Sequence, residues 1–162
     1  MEGGFNNIRG FGLSVAATWD VEHGFRDWFE YDAIALVKEM AQFDRVIGFN
    51  LLSFDYEVLS DYIPDVHKLL DDKTFDILAD LTVSLGHRVS LEDISLATLG
   101  RKKVGTGYDA VRWFREGEIE KVARHCQRDV ELTRDIYEYG RERGFIYYPS
   151  KGELAKVKVD WR

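Results

Sequence analysis

The chain has 162 residues, 45% hydrophobic and 31% charged, the size and balance of one globular domain spanning residues 1–162. Its net charge of −7 excludes a wholly basic nucleic-acid-coating protein, but not a nucleic-acid enzyme that holds divalent cations on carboxylates. The single cysteine, Cys126, excludes a disulfide framework and a Cys-cluster zinc site. The absence of a ~20-residue apolar run or a leader pattern at Met1–Asn7 makes a cytoplasmic setting, with no membrane partner, the expectation.

In chain order, Arg9 to Trp19 reads as a strand, Asp20 to Gly24 as a turn, and Phe25 to Phe29 as the returning strand of a hairpin. Asp32 is the expected N-cap of a helix that carries Ala33, Ile34, Val37, Met40 and Ala41 at helical spacing. Val46 to Phe49 reads as a buried strand, and a helix follows from Phe54 to Tyr62, ending before Pro64. Thr74 to Leu78 suits another strand. Ser90 to Asp93 is a capping-box pattern that opens a helix through Leu99, with Gly100 as its stop. Arg101 to Tyr108 is a basic, glycine-containing stretch. Ile119, Val122, Cys126, Val130, Thr133 and Ile136 then define the longest helix, with Gly140 near its end. Phe145 to Tyr148 and Val157 to Val159 read as two short strands around Pro149–Gly152. Strands and helices intermix, which implies an α/β domain with a mixed sheet.

Two segments stand out chemically. Gly48-Phe-Asn50 to Asp55 places an amide at the end of a strand and a carboxylate in the first helical turn beyond it, where α/β sheets gather ligands. Asp55 there serves equally as a partner for the helix dipole. His125 and Asp129 lie four residues apart on one helix face, next to the apolar stripe. An intrahelical pair, or a salt bridge with Arg124 or Arg128, is the plain alternative. Asp20-Val-Glu22 has the D-x-E form of a metal-binding pair but falls in the hairpin turn, so it reads as solvated. Arg101-Lys102-Lys103 suits phosphates and equally suits a solvated charge cluster.

Read together, Gly48-Phe-Asn50…Phe54-Asp55 and His125-Cys-Gln-Arg-Asp129-Val-Glu-Leu-Thr133 resemble the ribonuclease H-like 3′–5′ exonucleases of the DEDD type. The closest likeness is to the predicted exonucleases related to the proofreading domain of family B DNA polymerases. Leu91 to Gly100, Gly107 to Trp113, Gly117-Glu118 and Val157 to Trp161 resemble that family as well. The resemblance implies a ribonuclease H-like mixed sheet flanked by helices. It also implies two-metal hydrolysis of phosphodiester bonds, with Mg²⁺ or Mn²⁺ ions ~3.5–4 Å apart. By resemblance, Asp55 and Asp129 are metal-binding catalytic carboxylates. Asn50 is a substrate-side residue, and His125 orients or deprotonates the attacking water. The implied partner is the 3′ end of a single-stranded nucleic acid.

The sequence departs from the family twice. His125 stands where the nearest relatives carry tyrosine, with three residues between it and the last aspartate. The family's first motif, a D-x-E pair in a central first strand, has no match in Met1–Ile8, and Asp20-Val-Glu22 lies too close to Asp55 to supply it. The expectations are therefore a domain without its first, central strand, two carboxylates of four, and little or no exonuclease activity. Another stretch of chain, or a homodimer, is expected to fill the gap. A non-catalytic nucleic-acid-binding or scaffold module is the alternative from a different class. A third reading makes Asp55 and Asp129 purely structural.

Overall fold

In the computed structural model, which describes residues 12–162, Val15–Asp20 (β1) and Gly24–Phe29 (β2) pair antiparallel, from Val15 opposite Phe29 to Asp20 opposite Gly24. Asp20 closes the turn: its Oδ1 accepts from the backbone N–H groups of Glu22 and His23 at 2.9 and 2.8 Å. The strand expected from Arg9 starts only at Val15. Arg9 to Phe11 and the Met1–Ile8 segment lie outside the described residues.

Ala33–Met40 (α1) follows, but Asp32 does not cap it. Its carboxylate accepts from the Phe29 N–H at 3.0 Å and closes a 3₁₀ turn over Glu30–Asp32 instead. Val46–Gly48 (β3) leads to Asn50, whose φ of 64° reverses the chain, a conformation asparagine tolerates better than most residues. A wide π-type turn, Leu51–Asp55, then runs into Tyr56–Leu59 (α2). The helix expected from Phe54 to Tyr62 is thus shorter, and Asp55 lies in the wide turn before it. Val66–Leu70 (α3) is a further short helix.

Thr74–Asp76 (β4) runs parallel to β3. The strand expected to reach Leu78 stops at Asp76, because that carboxylate accepts from the N–H groups of Leu78 and Ala79 and caps Ile77–Leu85 (α4). Ile77, Leu78 and Leu81 are buried from this helix rather than from a strand.

Leu91–Leu99 (α5) begins as its sequence suggests, with Ser90 Oγ accepting from Asp93 N–H at 3.0 Å, and stops at Gly100 with φ 67°. Gly107–Arg115 (α6) begins at the end of the basic Arg101–Tyr108 stretch; Thr106 and Asp109 form a reciprocal capping box at its start. Ile119–Arg143 (α7) runs through Gly140 and ends at Gly144, φ 75°. Phe145–Ser150 (β5) and Glu153–Lys158 (β6) form the closing hairpin.

The architecture is α/β, but the expected single mixed sheet is not what the strands form. Among the described residues there are three two-stranded sheets, β1–β2, β3–β4 and β5–β6, with no ladder between them. β3 and β4 are three residues long and offer few ladder bonds. Helix contact does the joining: α7 packs against β1, β3 and β5.

Two apolar clusters result. One gathers Ile77, Leu81, Ile94, Leu132, Ile136 and Ile146 around Trp161. The Trp161 ring stacks on Tyr137 at 6.0 Å and its Nε1–H donates to Asp80 at 2.8 Å. It lies against Gly140, where a Cβ would come within 2.3 Å of the ring, so the helix needs glycine there. The other cluster joins α1, α2 and α3 through Leu36, Val37, Tyr56, Val66 and Leu70. Among the described residues, no helix is long and apolar enough to cross a membrane.

Candidate functional site

Asp55 and Asp129 come from different cores. Asp55 precedes Tyr56, a fully buried member of the second cluster, and Asp129 lies on α7 one turn before Leu132 and Thr133 in the first. The fold nevertheless brings the two carboxylates within electrostatic reach of each other, and Asp76 within reach of Asp55. Asp55 has open surface, yet the surrounding protein withholds much of the water a free carboxylate would have. Desolvation, followed by the charges of Asp76 and Asp129, pushes its pKa to about 7; a hydrogen bond from its own backbone opposes the rise.

Asp129 shows the same deficit. Burial raises its pKa, while the Lys103 ammonium and the His125 ring pull the other way. Lys103 Nζ lies 3.2 Å from Asp129 Oδ2. The second oxygen, Oδ1, is buried and has no hydrogen-bond partner. A buried carboxylate oxygen left bare costs free energy, so this one is a place for a cation or a donor.

His125 is buried on α7, edge-on to Trp113. Its Nδ1 is 2.6 Å from the Val104 carbonyl, which only accepts, so Nδ1 carries the proton and donates. Nε2 then faces Asp129 Oδ2 at 3.6 Å. The ring is held by a backbone carbonyl with one nitrogen turned to the carboxylates, the orientation a base or water-positioning group needs.

Asn50 turns its amide oxygen to Arg88. Its Oδ1 accepts from Arg88 at 3.2 Å, while its backbone N–H and that of Leu52 donate to Asp76 at 2.8 and 3.0 Å. Asp76 thereby ties the wide turn to the start of α4. Cys126, between His125 and Asp129 in sequence, is no nucleophile: burial first, then Asp129, Asp55 and Asp27, push its thiol up to about 12. Its Sγ–H contacts the Val15 carbonyl at 3.4 Å.

Asp27, Asp76 and Lys103 are members of this neighbourhood that the spacing did not single out one by one. For Asp76 a signal existed, an aspartate directly before the apolar run Ile77-Leu78. For Asp27 there was none; it sits on β2, and Gln127 Nε2 donates to its two oxygens at 2.9 and 3.0 Å.

A second cluster lies at the hairpin. Asp20, His23 and Glu39 bring one ligand atom each to within 4.8 Å of one another, beside a groove of about 550 Å³ that Glu22, Lys38 and Phe43 also line. Here the protein supplies its own cation: the Arg26 guanidinium pairs with both Asp20 and Glu39. No buried carboxylate oxygen is orphaned there; the bare buried atom is Arg26 Nε, a donor, which gives a cation nothing to bind.

The donor set at Asp55 and Asp129 is hard oxygen, which suits Mg²⁺ or Mn²⁺ rather than a thiolate-preferring metal. Asp55 and Asp129 are the residues that could hold such an ion: two desolvated carboxylates within electrostatic reach, and one bare buried oxygen. No family model, curated protein or solved structure matches the chain.

Proposed function

We propose that this chain is a divalent-metal-dependent 3′–5′ exonuclease domain of the ribonuclease H-like kind, acting on the 3′ ends of single-stranded nucleic acid. The observation that carries the reading is the bare, buried Oδ1 of Asp129 within electrostatic reach of the charge-strained Asp55. These two carboxylates would hold Mg²⁺ or Mn²⁺, and the bound ion would supply Lewis-acid charge to activate water and stabilise the leaving 3′ oxygen. His125 keeps its Nδ1 proton on Val104 and offers Nε2 beside Asp129 as the group that orients water or accepts its proton. Lys103 neutralises Asp129 while no metal is held. Two carboxylates make a weaker clamp than four, so turnover is expected to be slow.

One observation favours a second reading, a non-catalytic nucleic-acid-binding module of the same fold. Lys103 already pairs with Asp129, as in a site that has traded its metal for a built-in cation. One experiment separates the two. Mn²⁺ binding and release of a 3′ label from a single strand are measured for the wild type, Asp55→Asn and Asp129→Asn. The exonuclease reading expects Mn²⁺ binding and label release, both lost in each variant. Binding without release points to the module. Mn²⁺ binding that neither variant disturbs refutes the site.

A further inference from the structure

We infer that His67 is a proton-operated latch that fastens α2 to α3 and to the 3₁₀ turn Asp71–Lys73 behind it, closed while the ring is charged and released when it loses its proton. The inference stands apart from the exonuclease reading and needs no metal.

The hydrogen-bond geometry requires two protons on the ring. His67 Nδ1 lies 2.9 Å from Asp71 Oδ1 and 3.1 Å from its Oδ2. Nε2 lies 2.9 Å from Glu57 Oε1, on α2. An ionised carboxylate only accepts, and a neutral imidazole has one N–H. Neutral His67 therefore makes one of the two contacts and turns a lone pair on the other carboxylate. The imidazolium donates to both, and both bonds are then charge-assisted. Among the described residues, no other histidine has both ring nitrogens at hydrogen-bond distance from carboxylates.

The surroundings favour the charged ring. Residues 56–73 carry five acids, Glu57, Asp61, Asp65, Asp71 and Asp72, against two lysines, Lys68 and Lys73. Lys73 is turned away to the Ala41 and Phe43 carbonyls, at 2.6 and 3.1 Å, and Lys68 is exposed. The Tyr56 ring meets His67 edge-on at 5.8 Å between centroids, and its phenol, pushed up to about 12 by burial, stays neutral. Partial desolvation lowers the His67 pKa, but the hydrogen bonds and charges of Asp71 and Glu57 outweigh it and leave it above the ordinary histidine value. The folded chain thus holds this proton more tightly than the unfolded one. The latch contributes in full below the unfolded value of about 6.5 and is lost as pH rises through the folded value. The His67, Glu57 and Asp71 side chains are 34%, 30% and 44% exposed, so solvent screening keeps the effect modest.

The latch acts on a helix that needs fastening. Tyr56–Leu59 is a single turn, too short to stand on its own propensity. It is also the far anchor of the wide turn that carries Asp55, because the Tyr56 N–H closes that turn on the Leu51 carbonyl. Tyr56, Val58 and Leu59 are buried, so release loosens α2 without detaching it.

The test is a pH titration of the full chain in EDTA by NMR, reading the His67 ring nitrogens. Hydrogen exchange is followed in parallel at the Ser60 and Ile63 amides, which donate to the Tyr56 and Leu59 carbonyls. His67 should titrate above ~6.5 with both nitrogens protonated below its midpoint, and Glu57→Gln and Asp71→Asn should each lower that midpoint. The protection factors of the two amides should fall ~3-fold or more between pH ~6 and ~8.5 in the wild type and stay level in His67→Gln. The same fall is expected in Asp55→Asn, which removes that carboxylate as its source.

A His67 midpoint at or below the ordinary value overturns the inference, and so does one that neither carboxylate variant moves. Protection that stays level with pH in the wild type also overturns it, since the contact is then a surface ion pair with no hold on α2. A fall that persists in His67→Gln, or disappears in Asp55→Asn, assigns the pH dependence to another group and has the same force.

Discussion

Asp55→Asn is expected to stabilise the metal-free protein at alkaline pH and to remove its stabilisation by Mn²⁺. The fold raises the Asp55 pKa to about 7, against about 3.9 in an unfolded chain. Between those values the folded protein holds a proton that the unfolded chain has released, so stability falls as pH rises from ~4 to ~7 and the loss is complete above that. Taken in full the gap corresponds to roughly 4 kcal/mol. Asp55 has open surface, and solvent screening reduces that to about 1–2 kcal/mol. Asparagine carries no charge to desolvate. The variant should therefore match the wild type near pH 4 and exceed it at pH 8, by a Tm difference of ~2–8 °C for a domain of this size. Thermal melts by circular dichroism at pH 4, 6 and 8 in EDTA measure this directly. Saturating Mn²⁺ should then raise the Tm of the wild type but not of the variant. An Asp55→Asn protein that melts at or below the wild type at pH 8 would show that the carboxylate is a structural partner, and the reasoning fails.

Lys103→Met should tighten Mn²⁺ binding several-fold, because the ammonium at 3.2 Å competes for Asp129; equal affinity by titration calorimetry would show that the pair does not contend with the metal. His125→Gln should lower the rate of 3′-label release by ~10²–10⁴-fold while leaving Mn²⁺ affinity in place, and a rate within a few-fold of the wild type would remove His125 from the chemistry. Gly140→Ala should lower the Tm by ~3–10 °C, because its methyl would meet the Trp161 ring at 2.3 Å and overpacking costs ~1–3 kcal/mol. An unchanged melt, with Trp161 fluorescence still that of a buried indole, would refute that packing.

The sequence made the long helix and its neighbours readable for local reasons. The apolar stripe of α7, the Ser90 cap and the Gly100 stop act within a few residues, and each appears where the spacing puts it. Asp32 and the Thr74–Leu78 strand misled for the opposite reason. Whether an aspartate caps the helix ahead or the turn behind depends on which backbone N–H lies nearer, and Asp76 had a helix to cap where Asp32 had a 3₁₀ turn. α6 carries a local signal of the same kind, the Thr106–Asp109 capping box, but no fully buried residue.

By itself the sequence determined an α/β chain and which polar residues border apolar stripes, since periodicity alone decides that Asp129 sits at the edge of a buried face and that His125 shares its side. Tertiary packing alone decided the rest. It set Asp55 within reach of Asp129 across two cores, placed Lys103 on one Asp129 oxygen and left the other bare, and held the three strand pairs together by α7 rather than by a shared ladder. Desolvation and charge repulsion depend on distances between residues far apart in the chain, and no local pattern encodes those distances.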